Sequence, residues 1–273
     1  MPTSTDSRAC RASNGIFYRL EGQGAPLLLL HGLLASGIMF DPLIEILRGR
    51  FRMLVPDLRG HGQSGSLDGP YDVSALAADL SVVLAEAGFE RAAVMGYSHG
   101  GAVAQQLARN RPDAVNKLLL GCTYACNVST TRERIEAWTF LTLLHLFSPG
   151  TIGKMIVLAA KPRAGGQVAL TSAQARWLQS ILAGNKSKAM RGATRGMIAF
   201  DSRSWLEDIR APTLVVGGSH DAGVPRHHFD MLVSGIPGAS GRLVGRAGHT
   251  LIWTHTSELA RIMCEEWRGA STS

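Results

Sequence analysis

The run Gly96-Tyr97-Ser98-His99-Gly100-Gly101 sets one hydroxyl between glycines placed two residues to either side. An apolar run, Ala92 to Met95, precedes it, and a helical pattern from about Ala102 follows. A strand that turns this sharply into a helix forces the serine backbone into a strained conformation and lifts its hydroxyl clear of the sheet edge. Side chains at 96 and 100 would collide with neighbouring backbone, so glycine is needed at both. The following helix directs its N-terminus at the serine, which favours developing negative charge there. These residue types in this order suit nucleophilic attack on a carbonyl.

A serine hydroxyl attacks poorly unless a base takes its proton and a carboxylate orients that base. Among nine histidines, His249 stands out: it lies in Gly245-Arg-Ala-Gly-His249-Thr, after a strand candidate and before the last helix. His227 and His228 stand at a helix start and are expected to be solvated, His145 falls in a helical stretch, and His255 is expected within the final helix. The acid is expected between serine and base in chain order. Asp221, just past the apolar run Thr213 to Val216, has the required position, with Asp201 and Asp230 as rivals. An oxyanion needs two aimed N–H groups. One is assigned to the His99 backbone, the other to Leu33 in His31-Gly32-Leu33-Leu34, where Gly32 permits close approach and His31 reads as a structural hydrogen-bonding residue.

These residues have to be held by a scaffold. Leu27–Leu30, Phe51–Pro56, Ala92–Met95, Leu118–Leu120, Thr213–Val216 and a run ending at Leu243-Val244 are nearly continuous in hydrophobicity, as strands buried on both faces are. Helix candidates lie between them, at about Asp41–Leu47, Val73–Ala87, Ala102–Arg109 and Leu251–Trp267. Such alternation predicts a mostly parallel sheet covered by helices on both faces. It breaks over 123–204, where apolar and aromatic residues recur without strand signals. That stretch reads as a helical cap inserted into a core of 15–122 and 205–273, and 1–14 as a loose tail.

Composition narrows the function classes. The chain has 273 residues, 45% of them apolar, which excludes a disordered protein. The net charge is +7, but the basic residues are scattered and aromatics are few, so no nucleic-acid partner is expected. The longest apolar run, Ala25 to Leu30, is strand-sized and no secretion signal is visible, so neither a membrane span nor export is expected and a cytoplasmic location is. Cys10, Cys122, Cys126 and Cys264 then read as free thiols, and Cys122 with Cys126 lacks further ligands for zinc. The N-x-S triplets at Asn127 and Asn185 carry little meaning in such a location.

Together His31-Gly32, Asp57-Leu-Arg-Gly-His-Gly-Gln-Ser-Gly65, Gly96 to Gly101, Asp221 with Val224-Pro225, and Gly248-His249 resemble the α/β-hydrolase superfamily from about Gly15 to Trp267. The resemblance implies a mostly parallel sheet with a helical cap, and looks nearest to small capped esterases and enol-lactonases. Serine rather than aspartate at 98 separates the chain from haloalkane dehalogenases and epoxide hydrolases of this fold. His31-Gly32-Leu33-Leu34 replaces the His-Gly-Gly-Gly loop of hormone-sensitive-lipase-like esterases. Cofactor-free dioxygenases of the fold place an acid after the strand preceding the cap, where this chain has Gly121-Cys122-Thr123. Carbon–carbon bond hydrolases share the triad and want a cap arginine; Arg132, Arg134, Arg176, Arg191 and Arg195 are available.

The expected activity is hydrolysis of a small-molecule carboxylic ester or lactone by Ser98, His249 and Asp221, with no metal and no cofactor, in a monomer or homodimer. The pocket is assigned to Leu34, Tyr97, Trp138, Leu141, His145 and Val224. Carbon–carbon hydrolysis, cofactor-free dioxygenation and an idle small-ligand binder are the alternatives.

Overall fold

The computed structural model describes residues 7–159 and 166–267. Eight strands form one sheet: β1 (Ser7–Arg11), β2 (Phe17–Glu21), β3 (Ala25–Leu30), β4 (Phe51–Pro56), β5 (Ala92–Tyr97), β6 (Val115–Gly121), β7 (Thr213–Gly218) and β8 (Ser240–Val244). Their spatial order is β1-β2-β4-β3-β5-β6-β7-β8. The β1–β2 and β2–β4 pairs are antiparallel, and every other pair is parallel. The six predicted strands are present. The expectation of a loose tail over 1–14 is corrected, because Ser7–Arg11 pairs with Phe17–Glu21, Cys10 opposite Tyr18. That strand is mostly exposed and carries no apolar alternation, so its sequence held no strand signal. Residues 1–6 lie outside the described residues.

Alternate strand residues feed two separate cores, as the two-residue period requires. Leu27, Leu29, Met53, Val55, Ala93 and Met95 face one side; Leu28, Leu30, Leu54, Ala92 and Val94 face the other. The first side is covered by α1 (Asp41–Leu47) and α10 (Thr256–Glu266), the second by α2 (Val73–Glu86) and α3 (His99–Asn110). The final predicted helix is broken in two: α9 (Leu251–Thr254) precedes α10, and His255 sits at the junction with φ −133°, not within a helix.

Between β6 and β7 the described residues form four α-helices, α4 (Thr131–Leu146), α5 (Pro149–Ala159), α6 (Ser172–Ala183) and α7 (Ser187–Ala199), and a short 3-10 turn over Leu206–Asp208. Thr130 with Glu133, and Thr171 with Gln174, make reciprocal capping boxes that start α4 and α6. The two ends of this stretch meet at an isolated antiparallel bridge between Cys126 and Asp201. Beside it, the Ser202 amide donates to the Ala125 carbonyl at 2.7 Å. After β7 comes α8 (Arg226–Gly235). Among the described residues, no helix is long and apolar enough to cross a membrane.

Candidate active site

Strand order sets where chemistry can occur. The chain runs from β3 to β4 on one side and then returns to β5 on the other, so β3 and β5 are neighbours whose following loops diverge. A crevice opens at the carboxyl ends of such a pair. Leu30 is registered with Gly96, which brings the His31–Leu34 loop beside Ser98. A Cβ on Gly32 would lie 3.2 Å from the Ser98 Cβ.

Ser98 has φ 54° and ψ −122°, a left-handed conformation rare for a residue with a side chain. Such geometry costs on the order of 1–3 kcal/mol and persists only when its surroundings enforce it. Here the Ser98 amide donates to the Gly121 carbonyl at 2.9 Å, and Thr123 Oγ1 donates to the Ser98 carbonyl at 2.6 Å. A Cβ on Gly96 would strike the Gly100 carbonyl oxygen, and one on Gly100 would strike the Leu30 carbonyl oxygen. Both obstacles are backbone and cannot swing aside. Gly100→Ala is therefore expected to destabilise the fold by about 2–4 kcal/mol, as overpacking and a distorted elbow combine. Denaturant titration checks this; an unchanged midpoint would contradict it.

The three side chains proposed from sequence lie together. His249 Nε2 is 3.1 Å from Ser98 Oγ, and His249 Nδ1 is 2.9 Å from Asp221 Oδ2, across separations of 151 and 28 residues. Asp221 follows β7 and His249 follows β8, whose ends are paired through Gly218 and Val244. Asp221 Oδ1 accepts from the Gly223 and Val224 amides at 2.9 and 2.8 Å, which aims Oδ2 at the imidazole. The rivals are engaged elsewhere: Asp201 pairs with Arg203, and Asp230 with Arg226. Burial pulls the His249 imidazole pKa down most strongly, but the charge of Asp221 and its hydrogen bond together outweigh it, and the net shift is upward. The ring is 36% exposed, so solvent weakens the opposing burial contribution further.

Three neighbouring imidazoles are structural. His31 Nδ1 donates to the Gly32 carbonyl at 2.8 Å, and His31 Nε2 accepts from the Leu58 amide at 2.9 Å, tying the loop after β3 to the loop after β4. His99 Nδ1 and the Tyr124 hydroxyl share a hydrogen bond of 3.1 Å. His61 stacks edge-on against His31. All three are buried, and burial lowers their pKa values to about 4 (His31), 3 (His61) and 3 (His99). An unfolded histidine titrates near 6.5. Below that pH the unfolded chain takes up protons that the folded chain refuses, so this stability is complete above about pH 6.5 and is lost as pH falls toward 4 and 3. Each imidazole contributes on the order of 3–5 kcal/mol over the full range. Stability measured by urea titration is expected to fall steeply between pH 6.5 and 4; a flat profile there would contradict the burial of these rings.

His99 is the first residue of α3, so its backbone N–H has no acceptor within the helix and lies next to Ser98. Leu33 lies in the loop directly beside Ser98. Leu34, with φ 62°, is held by a contact that the sequence did not reveal: buried Asn185 donates from Nδ2 to the Leu34 carbonyl at 2.6 Å, from 151 residues away. Asn185 joins α6 to α7, so the helical stretch grips the loop proposed to carry an oxyanion donor.

The pocket assignments divide. Val224 lines a cavity of about 160 Å³ together with Tyr124, Glu133, Ala137, Phe140 and Met197. Gly223 lines it too, and a Cβ there would lie 3.0 Å from His249 Cγ. Tyr97 is buried and its hydroxyl donates to the His249 carbonyl at 2.8 Å, so it supports His249 from behind. Leu141 is buried on α4 and does not line that cavity. Trp138 and His145 are corrected: Trp138 is 55% exposed, and exposed His145 contacts the Leu141 carbonyl and Arg195. α4 carries apolar residues around its whole circumference, so the pattern could not say which of them face inward. His228 is corrected as well. It is only 3% exposed, and its Nε2 donates to Glu133 Oε1 at 2.9 Å. Burial pushes the Glu133 carboxyl pKa up, but the Ser129 hydroxyl and amide, with His228, hold it down at about 2.

Residues 25–256 match the model of the alpha/beta hydrolase fold family. A protein of Azorhizobium caulinodans named "Putative carbamate hydrolase RutD" is 30% identical over 238 residues, covering 82% of this chain and 84% of its own. A poly(3-hydroxyalkanoate) depolymerase of Ectopseudomonas oleovorans is 27% identical, covering 87% and 82%. The solved esterase from Exiguobacterium antarcticum superposes with a TM-score of 0.85 at 19% identity, covering 96% of this chain and 99% of that one. The enol-lactonase from Burkholderia xenovorans gives 0.82 at 19%, covering 94% and 98%. With its eight-stranded, mostly parallel sheet and this match over most of its length, the chain belongs to the alpha/beta hydrolase fold family.

Proposed function

We propose that this hydrolase cleaves a carboxylic ester or lactone through an acyl-enzyme on Ser98. The observation that carries the reading is the continuous hydrogen-bonded line from Ser98 Oγ through His249 to Asp221. Ser98 Oγ attacks the acyl carbon as its proton passes to His249 Nε2. The Leu33 and His99 amides hold the oxyanion that forms. Collapse expels the alcohol, which takes the proton from His249. Water then attacks the acyl-enzyme by the same route, and the acid is released. Asp221 keeps the proton on His249 Nδ1 and stabilises the imidazolium between the two transfers. Residues 123–204 act as a cap over this site, and the cavity walled by Phe140, Met197 and Val224 takes a medium-sized, partly apolar substrate.

A second reading is favoured by the 30% identical relative: the acyl carbon could carry nitrogen, as in a carbamate. The same residues would serve, with an amine leaving. A panel of p-nitrophenyl acetate and butyrate, lactones and carbamates separates the two by turnover. If wild type and Ser98→Ala are equally inert across the panel, both readings fall.

A further inference from the structure

A second cluster of chemistry-bearing residues reaches the wall of the cavity proposed for the substrate, through Glu133 and His228, but none of its groups makes or breaks a bond in the hydrolytic steps. Glu133 on α4, with His227 and His228 in the first turn of α8, bring one carboxylate oxygen and two imidazole nitrogens within 4.8 Å of one another. His227 Nε2 and His228 Nε2 each lie 2.9 Å from the same atom, Glu133 Oε1. The other carboxylate oxygen is already held: Oε2 accepts from the Ser129 amide at 2.9 Å, the Thr130 amide at 3.0 Å and the Ser129 hydroxyl at 2.6 Å. Oε1 is thus turned by its own capping box toward two imidazoles whose rings stack 4.1 Å apart.

We infer that Glu133, His227 and His228 form a binding site for a divalent transition-metal ion, zinc by ligand type. Two imidazoles and one carboxylate are a common three-ligand set for zinc, leaving a fourth position open. Zinc–nitrogen and zinc–oxygen bonds run at about 2.0–2.2 Å, so three ligand atoms around one ion stand a few tenths of an ångström further apart than these hydrogen-bonded ones. His227 can supply that movement, because its side chain is 42% exposed. The Ser129 hydroxyl, 2.9 Å from His227 Nε2, lies next to the open position. The hydrogen bonds to Oε2 provide the outer support that ligating carboxylates require. The buried Nδ1 of His228 has no partner, so this ligand lacks such support, which places the affinity in the micromolar range rather than tighter.

The site joins two parts of the molecule that sequence separates by 95 residues. Glu133 belongs to the helical stretch between β6 and β7, and His227 and His228 follow closely on the Asp221–Pro225 loop. A bound ion would staple that stretch to the segment that carries Asp221, without entering the hydrolytic step.

Calorimetric titration of the metal-free full-length chain with zinc, and the visible spectrum of its cobalt(II) form, test the site. The expected result is one ion per chain, a cobalt ligand-field band, and a melting temperature that rises with zinc concentration. Glu133→Gln keeps the capping box, which glutamine also forms, but removes the anionic ligand, and it should weaken binding by at least ~10-fold. His227→Ala removes an exposed side chain, should fold normally, and should weaken binding similarly. Cys122→Ser is the control for the other set of potential ligands, Cys122 with Asp221 and His249, and should bind as wild type does. Undetectable binding at 100 µM zinc (about a hundredfold above the expected constant), or binding that survives His227→Ala but is lost in Cys122→Ser, would overturn the inference.

Discussion

Ser98→Ala is expected to lower kcat on the best ester of the panel by about 10⁴- to 10⁶-fold, the range seen when a triad nucleophile is removed. The loss is chemical, not structural. Alanine carries the same Cβ into the φ 54° conformation, and the hydrogen bonds that hold the elbow there come from backbone groups and Thr123, not from the serine hydroxyl. The melting temperature should therefore move little, by the equivalent of less than about 1 kcal/mol. What disappears is the one group that His249 Nε2 faces at 3.1 Å. Turnover within tenfold of wild type would mean that the hydrolysed bond is attacked by something other than Ser98.

Asp221→Asn is the second large effect, a fall in kcat of about 10⁴-fold. The carboxylate accepts from His249 Nδ1 at 2.9 Å and so leaves Nε2 bare, as a general base must be. An asparagine amide can present N–H instead, which stabilises the opposite tautomer and points a proton at Ser98. The same substitution has a signature in pH. A base works only when neutral, so kcat/KM of the wild type should rise with pH through the His249 pKa. Because Asp221 raises that value, the midpoint should lie above the ordinary histidine value of about 6.5. In Asp221→Asn the lowering contribution of burial stands alone, and the midpoint of the residual activity should move to lower pH. A midpoint that stays in place would show that the carboxylate does not act on His249.

The strands that carry this machinery were readable because each is buried on both faces. A run such as Leu27–Leu30 needs no knowledge of its neighbours to be recognised. The elbow was readable for a similar reason: Gly96 and Gly100 answer to collisions with backbone within one strand-turn-helix unit and the adjacent strand. β1 was not readable, since a mostly exposed edge strand gains its place from pairing with β2 and not from an apolar face of its own.

Order along the chain, Ser98 then Asp221 then His249, with a strand before each, was determined by the sequence itself, because tight turns and apolar strands are written in local residue types. Three facts were decided only by the tertiary structure. Trp138 and His145 face outward, Asn185 grips the carbonyl of Leu34, and Glu133 meets His227 and His228. Each depends on which helix of the stretch between β6 and β7 lies against which loop of the sheet. That choice is made by packing between segments about fifty to a hundred and fifty residues apart, and a polar side chain that finds its partner across such a distance leaves no periodic trace in its own neighbourhood.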